Sequence, residues 1–321
     1  MTPFTLYATF HGGSDKSDWN NIHAFTDQGA TADPSKVLDK DTLPDGVQLR
    51  ELRAMTWGPD GNLYVVNAYK DYSQVLCFHG ALQENWRHGF GAVFTSVPGT
   101  HPFQCLFGPD GYLYVANQDT RDVRRYYGPS STGGTPGQPV ESGDGVFLDG
   151  FNAVRGIAFN DRSNQIFVAD ETAPDPDKAE GKIDIYDLGT GTSCGTVPDP
   201  DGHLHEPVHL VFHKGILTIG DSKNDNLLYY DPSAGESARV KVYVHKDEAQ
   251  LDAPSGLLFA PDSLLYVASR KGQQINQFAP AADGHSATFE QVFVTSTQLK
   301  DNPEFLLAAS LDGGPIKQSA G

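Results

Sequence analysis

Cysteine is scarce: Cys77, Cys105 and Cys194 are the only three in 321 residues. Three thiols cannot build a disulfide framework, so the core must be held by packing, and a reducing cytoplasm is the expected compartment. Cys77 and Cys105 fall in apolar, strand-like segments and read as small buried residues. Positive charge is also short. Lys and Arg number 23 against 41 Asp and Glu, a net charge of −18. Such a surface repels phosphate backbones and anionic lipid, which argues against nucleic acid and membrane as partners. The one basic cluster, Arg121, Arg124 and Arg125, is interrupted by Asp122 and reads as a solvated strand face. No run approaches the roughly 18 apolar residues of a membrane span. The opening MTPFTLYATF lacks the basic and apolar regions of a signal peptide, so none is expected. No helical period runs through the chain, and no G-x-S-x-G, P-loop, H-E-x-x-H or C-x-x-C motif occurs.

What the chain has is a repeat. The clearest copies are MTWGPDGNLYVVN from Met55 and CLFGPDGYLYVANQ from Cys105. Weaker ones are IAFNDRSNQIFVADE from Ile157, LVFHKGILTIGDS from Leu210 and LLFAPDSLLYVASR from Leu257, with a truncated FLLAASLDG from Phe305. Anchors at Trp57, Phe107, Phe159, Phe212, Phe259 and Ala308 are spaced 50, 52, 53, 47 and 49 residues apart. Each repeat opens with an apolar strand a, turns through a sequence such as GPDG, and continues into strand b (LYVV, LYVA, IFVA). Strands c and d follow, VLCF and AVFTS in one copy; Cys194–Val197 is the poorest d. Four short β-branched and aromatic strands per period make one propeller blade.

The predicted fold is therefore all-β: a single six-bladed β-propeller over residues 1–321, with four antiparallel strands per blade. Blades are expected at 49–98, 99–150, 151–203, 204–250 and 251–298. Residues 1–48 supply b, c and d of the first blade, and 299–312 supply its strand a, leaving 313–321 as a tail. Joining the two ends in one sheet removes an open edge.

The a–b units, GPDGNLYVVN and GPDGYLYVAN, resemble those of NHL-repeat proteins, the SMP-30/gluconolactonase group and the virginiamycin B lyase group. The resemblance spans nearly the whole chain as architecture. It implies either small-molecule chemistry, as in lactonases and lyases, or a non-catalytic interaction module, and fold alone does not choose.

Topology places the start of strand a and the end of strand b around one mouth of the central channel. Four residues before each anchor stand Arg53, Phe103, Arg155, Val208, Ser255 and Glu304. The next column is Ala54, Gln104, Gly156, His209, Gly256 and Phe305. Arg53, Arg155, His209 and Glu304 are the catalytic candidates; His101, Phe103, Gln104, Ser255, Phe305 and, from the first-blade loop His11–Asn21, Trp19 are substrate-binding candidates. Two arginines suit a planar anion held by bidentate hydrogen bonds, with His209 as base or acid. The competing reading is a Glu304–Arg53 pair that plugs the channel, with His209 as a satisfied inner-strand histidine.

The SMP-30 resemblance implies one divalent cation held by Glu and Asn/Asp side chains of the first column. Only Glu304 matches, and two guanidinium groups oppose a dication, so a metal-dependent lactonase is disfavoured and no metal ligand is assigned. A second column, Asn67, Asn117, Asp170, Asp221 and Ser269, ends strand b; capping of the following turn is preferred there over a cation ring. His203, His205, His209 and His213 would share a strand face but span too far for one zinc ion; at most two could bind together, with His101 as a third ligand. The acidic loop Glu171–Lys182 is either a lid or a solvated loop. Two function classes stand. The first is a lyase or hydrolase acting in the channel on an anionic or carbonyl-bearing small molecule. The alternative is a scaffold that binds a ligand or a protein partner without chemistry.

Overall fold

The computed structural model describes residues 3–13, 18–69, 72–160, 162–171 and 181–316. Its strands form six separate four-stranded sheets. The second blade comprises β4 (Leu52–Trp57), β5 (Leu63–Asn67), β6 (Gln74–Phe78) and β7 (Phe90–Ser96). The third has β8 (Pro102–Phe107), β9 (Leu113–Asn117), β10 (Asp122–Tyr126) and β11 (Val146–Leu148). The fourth has β12 (Val154–Asn160), β13 (Gln165–Asp170), β14 (Lys182–Asp187) and β15 (Ser193–Thr196). The fifth has β16 (Pro207–His213), β17 (Ile216–Asp221), β18 (Asn226–Tyr230) and β19 (Lys241–Val244). The sixth has β20 (Pro254–Phe259), β21 (Leu265–Ser269), β22 (Gln274–Pro280) and β23 (Ala287–Val294). The first blade unites both ends of the chain. Its β1 (Thr5–Phe10), β2 (His23–Thr26) and β3 (Thr31–Lys36) lie beside β24 (Pro303–Ala309), in the order β24-β1-β2-β3. The expected closure is present, with Thr5 opposite Ala309 and Leu6 opposite Ala308.

The repeated Pro-Asp-Gly sequence has a specific physical role. Gly58 N–H donates to Asn62 O at 2.8 Å and Gly61 N–H to Gly58 O at 2.9 Å, with Gly61 at φ +80°. That left-handed position suits glycine. The aspartate reaches back to the strand: Asp60 Oδ2 accepts from the Tyr64 hydroxyl at 3.1 Å, as Asp110 does from Tyr114 and Asp262 from Tyr266, both at 2.7 Å. The motif thus sets both the turn and the direction of strand b.

The core is divided into wedges. Apolar clusters fill the spaces between adjacent blades, such as Phe4, Leu6 and Phe10 with Tyr266 and Ile275 between the first and sixth. Cys77 and Cys105 are buried in one of these clusters, as expected; Cys194 is exposed. The basic cluster does not form a solvated face. Arg124 is buried on Asp122 and Asp144, and Arg125 pairs with Glu141 and stacks over Phe147 at 4.1 Å. Burial in ion pairs and against aromatic rings outweighs exposure for these two guanidinium groups. Among the described residues, no helix is long and apolar enough to cross a membrane.

Candidate functional site

Each inner strand carries a register shift against its strand b close to the channel mouth, for example between Val154 and Ile157 and between Pro254 and Leu257. Beyond the shift, one hydrogen bond recurs in all six blades. The residue after strand b donates its N–H to the residue before strand a. The pairs are Ala68–Glu51 at 3.2 Å, Gln118–His101 at 3.0 Å, Glu171–Ala153 at 3.0 Å, Ser222–Glu206 at 2.9 Å, Arg270–Ala253 at 3.1 Å and His11–Asn302 at 3.0 Å. These twelve residues frame the mouth.

Below the rim the channel is sealed. Phe103 meets Phe305 edge to face at 5.4 Å, and Phe305 meets the His209 ring at 4.9 Å. Two candidates in the floor have structural partners. Gln104 Oε1 accepts from Ile157 N–H at 2.6 Å, and His209 Nδ1 accepts from Leu257 N–H at 2.8 Å. Each side chain thereby caps a backbone donor in the bulged strand of the next blade. Burial pushes the His209 pKa down to about 3, so the ring is neutral with its proton on Nε2. Ser255 donates to Pro303 O at 3.1 Å.

Above the floor stands a charged layer. Arg53 and Arg155 both lie over Phe103, at 5.5 and 5.2 Å from its centroid. Arg53, 6% exposed, is within 2.8 Å of Glu304 Oε1 and also bonds Glu51. Glu304, 1% exposed, further gathers Arg270 Nε at 3.0 Å and His11 Nδ1 at 3.3 Å. Burial alone would raise the Glu304 pKa. Arg53, His11 and Arg270 outweigh it and hold the carboxyl down to about 2.

Their contacts are of ion-pair length but are not aligned as full hydrogen bonds. Seven buried side-chain polar atoms lack a hydrogen-bond partner among the described residues, and four of them lie here: His11 Nδ1, Arg53 Nε, Arg270 Nε and Glu304 Oε1. Buried polar groups are seldom left so, and here the ion pairs among Glu304, Arg53, Arg270 and His11 compensate them in part.

Beside it sits an acid–base pair. His101 places Nε2 at 3.3 Å from Glu51 and Nδ1 at 3.3 Å from Asp119. The Glu51 contact raises the His101 pKa against the opposing effect of burial. Gln118 links this pair to Arg155, accepting from Nη1 at 2.5 Å. Arg155 also binds Glu171 at 2.6 Å. Burial raises the Glu171 pKa; Arg155 opposes this, while Glu206 adds to it.

Other sequence expectations meet definite partners. Trp19 stacks on His23 at 4.4 Å and packs against Phe10, so one face of its ring is covered. Asn67, Asp170, Asp221 and Ser269 do cap backbone N–H groups, but chiefly those of the loop preceding strand a. Asn67 accepts from Arg50, Asp170 from Asn152 and Ala153, Asp221 from His205 and Glu206, and Ser269 from Asp252. His203 and His205 precede β16, so they share no strand face with His209 and His213; His213 stacks on Phe259 at 4.0 Å. Most of the loop Glu171–Lys182 lies outside the described residues. Among the described residues no three His, Cys, Asp or Glu side chains are placed to hold a metal ion.

No family model and no curated protein matches the sequence. Solved structures resemble the fold at low identity. A chain of a nidogen/laminin complex is 14% identical over 97% of this chain and 99% of that one, with a TM-score of 0.61. A periplasmic gluconolactonase from Pseudomonas aeruginosa is 14% identical over 96% and 99%, with a TM-score of 0.56. A streptogramin B lyase is 13% identical over 77% and 70%, with a TM-score of 0.50. The fold is thus shared with lactonase and lyase propellers, as the a–b units implied.

Proposed function

We propose that this chain is an enzyme of the hydrolase or lyase type acting on a small anionic or carbonyl-bearing molecule at the channel mouth. The observation that carries the reading is the buried charged layer at the mouth, where two guanidinium Nε–H donors, His11 and one carboxylate oxygen are held by ion-pair contacts yet lack a full hydrogen bond. An anionic or carbonyl oxygen would accept from Arg270 and Arg53, groups suited to developing negative charge. His101 is the acid–base group. Two carboxylates favour its protonated form, so it can give a proton to a leaving oxygen near neutral pH. Glu171, biased toward its protonated form, is the opposing carboxylic acid across Gln118 and Arg155.

No metal enters this reading. A dication at Glu304 would face Arg53 and Arg270, and the carboxylate charge is already shared among cations. The likeness to a gluconolactonase and a lyase agrees in reaction class, while that to the nidogen/laminin complex favours the second reading, a binding module.

The deciding experiment is a thermal-shift and turnover screen of small carboxylates, esters and lactones. For a hit, H101Q should abolish turnover but keep binding, and R270Q should lose the ligand-dependent rise in Tm. Turnover that survives H101Q would overturn the assigned chemistry. Binding with no turnover of any hit would leave the scaffold.

A further inference from the structure

One five-residue turn recurs around this molecule. Its first N–H donates to the fifth carbonyl, and its fourth N–H to the first carbonyl. It occurs at Thr26–Ala30, Gly58–Asn62, Gly108–Tyr112, Ala260–Leu264, Ser310–Gly314 and Gln83–Arg87. The fourth residue is left-handed each time. It is Gly29 at φ +76°, Gly61 at +80°, Gly111 at +81°, Ser263 at +70°, Gly313 at +84° and Trp86 at +59°. Five copies use a small residue where the backbone demands one. The sixth uses tryptophan, whose bulk makes that conformation unfavourable.

Burial does not explain the choice. Trp86 is 63% exposed. Leu311, on the turn Ser310–Gly314, is 64% exposed, and both line the same cavity of about 100 Å³ with Leu82, Pro34 and Tyr7. Two of the three exposed large apolar side chains among the described residues thus meet at one place, brought there from opposite ends of the sequence. The turn Ser310–Gly314 packs on Leu82, the residue that precedes the tryptophan turn: a Cβ on Gly313 would come within 2.3 Å of Leu82 Cγ. Strain and exposed apolar area at one side chain point to a role outside the fold.

We infer that this patch is a docking site for a basic segment of another protein, anchored by one aliphatic or aromatic side chain in the cavity. Charge selects the occupant. Asp33 lines the cavity, Glu84 lies on the tryptophan turn and Asp312 follows Leu311, with Arg87 the cation of that turn, on a chain of net charge −18. A second copy would bring another −18 against the same acidic rim. Lysine or arginine flanking an apolar anchor is complementary to both features.

The test is a phage-display selection of random dodecapeptides against the full chain, with W86G as counter-target. W86G restores the residue that four other copies of the turn carry, so its melting temperature should equal or exceed the parent's. Surviving peptides should carry Lys or Arg around a Leu, Ile, Phe or Trp. They should shift tryptophan emission on binding, weaken with added salt, and lose roughly tenfold or more in affinity for W86G and for L311S. Absence of peptides that discriminate against W86G would overturn the proposal, as would survivors lacking cationic flanks. A concentration-dependent dimer in sedimentation that W86G abolishes would overturn it in favour of a second copy.

Discussion

Removing Arg53 should destabilise the unliganded protein far more than removing Arg155. Arg53 is buried between Glu304 and Glu51. Truncating it to alanine strips two largely buried carboxylates of their shared partner. Breaking a buried pair costs about 3–5 kcal/mol. Glu304 keeps Arg270 and His11, so the lower end applies. With an unfolding entropy of about 2.1 cal/mol/K per residue, the 321-residue chain loses about 4–5 °C of Tm for about 3 kcal/mol. Arg155 is different. Its side chain is 19% exposed and its partner Glu171 21%, so Arg155→Ala should cost about 1 kcal/mol or less, near 1–2 °C. Calorimetry at neutral pH without ligand separates the two. The acid limb adds a second reading. Glu304 is held at about 2, below the ordinary carboxylate value of about 4.3, so its stabilisation is full above that value and lost as pH falls through about 2. Glu304→Gln should flatten that limb. An Arg53→Ala variant that melts within a degree of the parent would refute the buried-strut account of this residue.

Further outcomes follow from the floor and from the closure. His209→Gln should keep the fold, because Gln104 makes the equivalent bond from the third blade; His209→Leu should cost about 1–3 kcal/mol by orphaning Leu257 N–H. Because the folded His209 pKa is depressed to about 3, its neutral form contributes stability above about 6.5 that is lost as pH falls toward 3. His209→Gln should lessen that loss, and full loss of activity in this variant would instead place His209 in the chemistry. Truncation before Pro303 removes β24, and circular dichroism should then show no cooperative melt; an unchanged transition would refute the closure as a stability element.

The repeat was readable because Pro-Asp-Gly followed by Leu-Tyr encodes a turn, a side-chain bond and a strand in one stretch. The meeting of Arg53 and Glu304 was readable too, since closure puts their blades side by side. The rim was not. Glu51, Glu206, Arg270 and His11 stand one residue outside the strands, where the register shift re-aims the chain. Periodicity stops at strand ends, so nothing in the pattern marked them. The signal available was a column: the residue after strand b reads His11, Ala68, Gln118, Glu171, Ser222 and Arg270, polar in five blades of six. His209 looked chemical for the opposite reason. Its residue type suggested proton transfer, but a bulge in the neighbouring strand left an N–H that needed an acceptor.

The inner ring follows a rule that links sequence to site. The residues read Ala54, Gln104, Gly156, His209, Gly256 and Phe305, small and large in turn. At the small positions the next strand presses in. A Cβ on Gly156 would lie 2.7 Å from Val208 O, and one on Gly256 would lie 2.6 Å from Glu304 O and 2.9 Å from Phe305 Cα. The large residues then cross the channel and seal it. Six blades therefore close as three unequal pairs, which confines charged chemistry to the mouth above the floor. Gly256→Ala tests this. Backbone atoms of β24 cannot yield as a flexible side chain would, so β24 must shift away from β20, carrying Glu304 out of register with Arg53 and Arg270. The variant should lose about 1–3 kcal/mol from overpacking, and R53A added to it should then cost less than R53A alone, since the pair is already loosened. Ala54→Gly, at the small position that already bears a methyl group, should change stability by about 1 kcal/mol or less. Strict additivity of the Gly256 and Arg53 changes would show that the ring does not position the charges above it.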